Sequence, residues 1–138
     1  MLNQIPIESL PDGTVLKTTA YWCGLPFTHY GIIQREWNGQ IWIHHNSKRI
    51  GHAATTDLHG FSDGNLVFID SIPQSLGEGW LRAERARGDV ERGIPWTVDN
   101  NCEDMISRAI TGHDGSPTRS AFVGLGLFGL ALFFVSKL

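Results

Sequence analysis

The stretch THYGIIQREWNGQIWIHH, Thr28 to His45, sets two β-prone runs on either side of Asn38-Gly39. Asn-Gly is the strongest short hairpin signal, because both residues accept the positive φ that a tight turn demands. The pattern therefore predicts an antiparallel strand pair, and few folds survive that constraint. It also ties three histidines to the pair: His29 near the start of the first strand, His44 and His45 at the end of the second. Side chains alternate across a strand, so the loop length decides which histidine meets His29. An even loop puts His29 on the face of His44, and an odd loop puts it on the face of His45. A two-residue turn pairs Ile33 with His44 and leaves His29 roughly 13 Å along the strand. A four-residue loop, Glu36 to Gly39, pairs Gly31 with His44 and makes His29 a diagonal neighbour.

Before this hairpin, Pro11-Asp12-Gly13 reads as a turn opening the β-prone run Thr14 to Ala20. After it, residues 46–64 have no clean period and read as a loop with irregular strand pieces. Residues 65–70, NLVFID, read as a short strand. SLGEGWLRAERARGD then reads as a helix with Leu76, Trp80 and Leu81 on its apolar side, stopping near Gly88. Strands followed by helices predict an α+β domain.

The last helix opens at DNNCEDMISRAITG, residues 99–112. Asn100 serves as N-cap, with Glu103 as its capping-box partner, and Cys102 falls in the first turn. Free N–H groups and the positive end of the helix dipole favour thiolate there, while Glu103 and Asp104 oppose it by charge. Cys102, Met105, Ile106, Ala109 and Ile110 also form a core stripe at helical spacing. A nucleophile and a packing cysteine are both consistent with this pattern. The other histidines, among them His59 in a glycine-rich loop and His113, read as surface residues.

The final stretch, AFVGLGLFGLALFFV, has no polar side chain and follows the linker GHDGSPTRS. Its fifteen residues make roughly 22 Å of helix, against a hydrocarbon core of roughly 30 Å, so the span needs Ser136 to Leu138 with Lys137 snorkelling outward. A buried core helix keeps a polar face, and this segment has none. The chain thus divides into a domain over 1–112, a linker over 113–120 and a membrane-anchoring tail over 121–138. The net charge of -3 contains no long block of either sign, so no nucleic acid partner is expected. The two cysteines, Cys23 and Cys102, lack zinc spacing, and no metal or other cofactor is implied. The N-terminus has neither the basic start nor the apolar run of a secretory signal, so the domain is expected on the cytoplasmic side of a membrane, in a reducing compartment.

LPDGTVL, THYGI, IWIHH and above all NNCEDMISRAITG resemble the lecithin retinol acyltransferase-like domain, a circularly permuted relative of the papain-like and NlpC-type cysteine hydrolases. The resemblance runs from about Ile7 to Gly112. It implies an antiparallel sheet packed against a Cys-bearing helix, with a C-terminal hydrophobic helix beyond it. It also implies roles: Cys102 as nucleophile, His29 as general base and His44 as the residue that orients His29, with His45 as the alternative. Asp104-Met105 stands where the family usually has His-Phe, and the interval from His29 to the second histidine is longer than in its animal members.

These readings together predict a membrane-associated thiol acyl hydrolase or acyltransferase, phospholipase A-like, that takes a lipid or other acyl donor through a thioester acyl-enzyme. Two competitors remain open: a cysteine peptidase or amidase on peptide or cell-wall material, and a non-catalytic tail-anchored interaction module. Trp22, Trp37, Trp42, Trp80 and Trp96 suit a substrate groove in either enzyme, and suit core and rim positions equally.

Overall fold

A computed structural model describes residues 5–97 and 101–113 of the chain. Asn100, the linker beyond His113 and the apolar tail over 121–138 lie outside the described residues. The fold is α+β. Strands β1 (Val15–Trp22), β2 (Leu25–Arg35), β3 (Ile41–Ser47), β4 (His52–Thr56) and β5 (Val67–Ser71) form one antiparallel sheet in the order β4-β3-β2-β1-β5. Helices α1 (Leu58–Ser62), α2 (Leu76–Glu91) and α3 (Cys102–Thr111) cover it.

The period-2 alternation of β1 and β2 sorts their side chains onto two faces. On one face Val15 and Ile32 are paired and pack with Ala53 against Ala83 and Ala86 of α2 and Met105, Ile106 and Ala109 of α3. On the other, Leu16, Ile33 and Ile43 pack with Leu10 and with Phe61 of α1. The sheet is therefore sandwiched, with the long helices on one side and a single helical turn on the other.

The expected hairpin forms, with a loop of its own length. Arg35 pairs with Ile41, and the Glu36 N–H donates to the Gln40 carbonyl at 2.8 Å, so the loop runs over residues 36–40 and is odd. Ile32 consequently faces His44, which puts His44 on the helix-covered side of the sheet and His45 on the side of His29. Within residues 46–64, read above as a loop with strand pieces, the strand is β4 and the unexpected element is α1. Asp57 caps α1 by accepting from the Gly60 N–H at 2.8 Å, and Asp63 ends it at φ 49°. A second hairpin went unread: Trp22 pairs with Leu25 across Cys23-Gly24, whose φ values of 52° and 77° are those of a two-residue primed turn.

Two helix readings are corrected. Leu76, Trp80 and Leu81 point outward from α2, and its buried residues are Gly79, Arg82, Ala83, Ala86 and Asp89. Close approach explains the inversion: a Cβ at Gly79 would stand 2.1 Å from the Asp12 carbonyl oxygen, so only small residues fit where α2 meets the Pro11–Gly13 turn. The start of α3 is capped by Asn101, whose side chain accepts from the N–H groups of Glu103 at 2.9 Å and Asp104 at 3.3 Å. Asp104, and not Glu103, completes the capping box by accepting the Asn101 N–H at 3.0 Å. Gly112 closes α3 at φ 81°.

Candidate functional site

His29 lies on β2 beside a glycine for a steric reason. A Cβ at Gly31 would meet Ile43 Cγ2 at 2.6 Å and the Phe61 ring at 2.8 Å. Without it, the Phe61 ring stacks on His29 at 5.2 Å between centroids and meets His45 edge-on at 5.4 Å. The two imidazoles are thereby clamped, and His29 Nε2 and His45 Nδ1 share a hydrogen bond of 2.9 Å.

His45 Nε2 lies 2.8 Å from the Thr56 hydroxyl, and that hydroxyl donates to the Asp57 carbonyl at 3.1 Å. A hydroxyl has one proton, so with that proton on Asp57 its oxygen must accept from His45 Nε2–H. His45 Nδ1 then carries the lone pair and accepts from His29 Nε2–H. The chain of donors leaves His29 Nδ1 unprotonated, and Nδ1 makes no hydrogen bond among the described residues. The ring is thus held in the tautomer of a base whose free nitrogen is Nδ1.

His44, the residue expected to orient His29, is held elsewhere. Its Nε2 donates to Gln34 Oε1 at 2.6 Å and its Nδ1 accepts from the Thr55 hydroxyl at 2.8 Å, while Gln34 Nε2 donates to Glu84 on α2. The odd loop places it on the far face, where it joins sheet to helix.

Cys102 is the first residue of α3 and is buried against β2. The β2–β3 ladder ends at Ile32–His44, so Leu25 to Gly31 pair with β1 alone and leave a gap on the β3 side. The Cys102 thiol donates to the Thr28 carbonyl at 3.7 Å, one residue before His29, and no hydrogen bond joins it to His29 itself among the described residues.

Burial dominates the protonation of these groups. Desolvation pushes the Cys102 thiol up to about 12; the backbone N–H of Tyr30 lowers it, the Glu103 carboxylate raises it, and the N–H groups of Cys102 and Glu103 lower it further. The expected activation by the helix N-terminus is present but outweighed. Burial, aided by Arg49, lowers His29 to about 4, and burial, His29 and Arg49 lower His45 to about 3. The resting state is therefore neutral thiol and neutral imidazole rather than an ion pair. Asp104 is fully buried with its carboxylate turned back onto the N-cap, so the charge that disfavours thiolate comes from Glu103.

A cavity of about 140 Å³ opens on the histidine face, lined by His29, His45, Phe61, Tyr21, Arg49 and Asn65 among others. Sequence reasoning missed Phe61, Thr56 and Arg49. Gly31 inside the strand was the available sign that something approaches closely there. Trp37 is almost fully exposed and Trp80 largely so, and neither borders the cavity. Among the described residues no group of His, Cys, Asp and Glu is placed to hold a metal, and no helix is long and apolar enough to cross a membrane. No protein-family model, no curated protein and no solved structure matches the chain.

Proposed function

We propose that the chain is a cysteine-dependent acyl hydrolase or acyltransferase, built as a permuted papain-like domain of the lecithin retinol acyltransferase kind, with a lipid ester as acyl donor. The observation that carries the reading is that both groups meet one segment of β2: the Cys102 thiol reaches the Thr28 carbonyl from the helix-covered side, and the adjacent His29 is fixed by His45 on the other face with Nδ1 free. His45 takes the orienting role assigned above to His44.

Neutral partners imply proton transfer in step with attack. Sγ must leave Thr28 and move through the gap on the β3 side of β2 to reach His29 Nδ1, to which it passes its proton as it bonds to the ester carbonyl carbon. The N–H groups of Tyr30, Cys102 and Glu103, which already favour negative charge at the sulfur, are suited to the developing oxyanion. Collapse breaks the C–O bond, and His29 returns the proton to the leaving alkoxide. Water or a second acceptor, deprotonated by His29, then cleaves the thioester and the thiol is restored. The lipid assignment rests on the apolar composition of residues 121–138.

The test is intact-protein and peptide mass spectrometry after incubation with phosphatidylcholine in detergent. An acyl mass on Cys102, absent from Cys102→Ala, is expected. Peptide-library cleavage dependent on Cys102, with no lipid adduct, would replace this reading by a peptidase. Inertness towards every ester, thioester and peptide donor would leave a non-catalytic module.

A further inference from the structure

The end of the sheet that carries His29 and His45 also carries the outward-facing apolar residues of the β1–β2 turn. Tyr21 is 60 % exposed, Trp22 47 % and Leu25 69 %, around the primed turn Cys23-Gly24. Strand β3, antiparallel to β2, delivers Lys48 and Arg49 to the same end. Lys48 Nζ sits 5.4 Å from the Trp22 ring centroid and 5.5 Å from that of Trp96, so cation and aromatics form one surface. Tyr21, Phe27, Lys48 and Arg49 also line the cavity that reaches His29 and His45, with Asp63 as the acidic member of the lining. At the opposite end, the exposed Trp37 has Glu36 as its neighbour and no such pair of cations beside it in the chain.

We infer that this end of the domain docks on an anionic lipid bilayer, with the β1–β2 turn entering the headgroup region. Tryptophan and tyrosine settle at that depth because a ring that is apolar with one polar atom suits the boundary. Leu25 adds apolar area, and Lys48 and Arg49 meet the negative surface potential. Docking in this orientation brings the mouth of the cavity to the lipid surface. The inference rests on the proposed function only for its consequence, the delivery of an ester to the His29 side of the site.

Cys23 supplies the probe, since it is exposed at the tip of the turn whereas Cys102 is buried. The full-length chain carrying Cys102→Ala is labelled at Cys23 with an environment-sensitive nitrobenzoxadiazole dye. It is then mixed with phosphatidylcholine vesicles, with or without phosphatidylserine and with shallow spin-labelled lipid as quencher. A blue shift and quenching are expected, stronger with phosphatidylserine. Lys48→Ala and Arg49→Ala should each weaken the phosphatidylserine-dependent part roughly fivefold, and Leu25→Asp should abolish quenching. A probe that stays in water on vesicles with which the chain sediments would show attachment through another segment and overturn the inference, as would no sedimentation or equal response to both lipids. A short-chain soluble ester, tested for the Cys102 adduct without vesicles, reads the chemistry apart from docking. Docking without adduct sinks the enzyme alone, and adduct without docking sinks this inference alone.

Discussion

A single residue of loop length separates the two histidines at the end of β3 in function. Because the loop over residues 36–40 is odd, His45 meets His29 and His44 meets Gln34 and Thr55. The sequence made both arrangements explicit but could not choose, since Asn38-Gly39 fixes where the chain turns without fixing how many residues leave the ladder. The two positions should respond oppositely to truncation. His45→Ala should lower the rate of Cys102 acylation by about 10²-fold, near the lower end of general-base effects, because His29 loses the partner that sets its tautomer. His44→Ala should leave that rate unchanged and cost about 1–3 kcal/mol of stability, since Gln34 and Thr55 lose a buried partner. Single-turnover acylation and urea unfolding, measured on both variants, would refute the assignment if the losses were reversed. Thr56→Val tests the same chain one step out. Its acylation rate should fall while the fold persists, and rescue by Thr56→Ser would separate the lost hydroxyl from altered packing.

At the level of the elements, the sequence showed which segments turn and repeat but not how closely they approach. Helix α3 was legible because an Asn cap, a helical apolar stripe and a closing Thr-Gly all agree; the cap is one residue later than expected, which exchanges the parts of Glu103 and Asp104, and Ile110 at the end of the stripe is exposed. Helix α2 was misread because its buried side is made of glycine, alanine and the ion-paired Arg82 and Asp89, and apolar size is a poor guide where backbones nearly touch. Asp104→Ala should therefore cost about 1 kcal/mol as a lost cap contact, without accelerating acylation. Faster acylation in that variant would mean that the Asp104 charge restrains the thiol after all. Gly31→Ala is the sharper probe of how the elements build the site. The added methyl cannot coexist with Ile43 and Phe61 where they stand, so the Phe61 ring must leave His29. About 1–3 kcal/mol of destabilisation is expected, together with slower acylation. A variant as stable and as fast as the parent would remove the clamp from the description.

Taken as a whole, the molecule keeps three imidazoles and one thiol neutral inside a small domain, and this ties its stability to pH from both sides. Burial lowers His29 and His44 to about 4 and His45 to about 3, whereas unfolded histidine titrates near 6.5. Below about pH 6.5 the unfolded chain takes up protons that the folded chain refuses, so stability is full above that value and falls towards pH 4. Each histidine contributes a slope of about 1.4 kcal/mol per pH unit within that window, and three give on the order of 4. Against a typical total of about 5–15 kcal/mol, cooperative acid unfolding is expected between roughly pH 4 and 5.5. The opposite limb belongs to groups whose folded values are raised. Cys102 is pushed from 9.0 to about 12 and Tyr30 from 10.0 to about 12, so their contributions are full below pH 9 and are lost as pH climbs towards 12. Urea midpoints measured from pH 4 to 11 should trace a plateau between these limbs. His44→Gln should flatten the acid limb by about a third, and Cys102→Ala should move the onset of the alkaline limb up towards pH 10. A midpoint that does not change between pH 6.5 and 4.5 would mean that the histidines are charged in the folded state. The neutral thiol and imidazole from which the proposed acyl transfer starts would then be the wrong starting point.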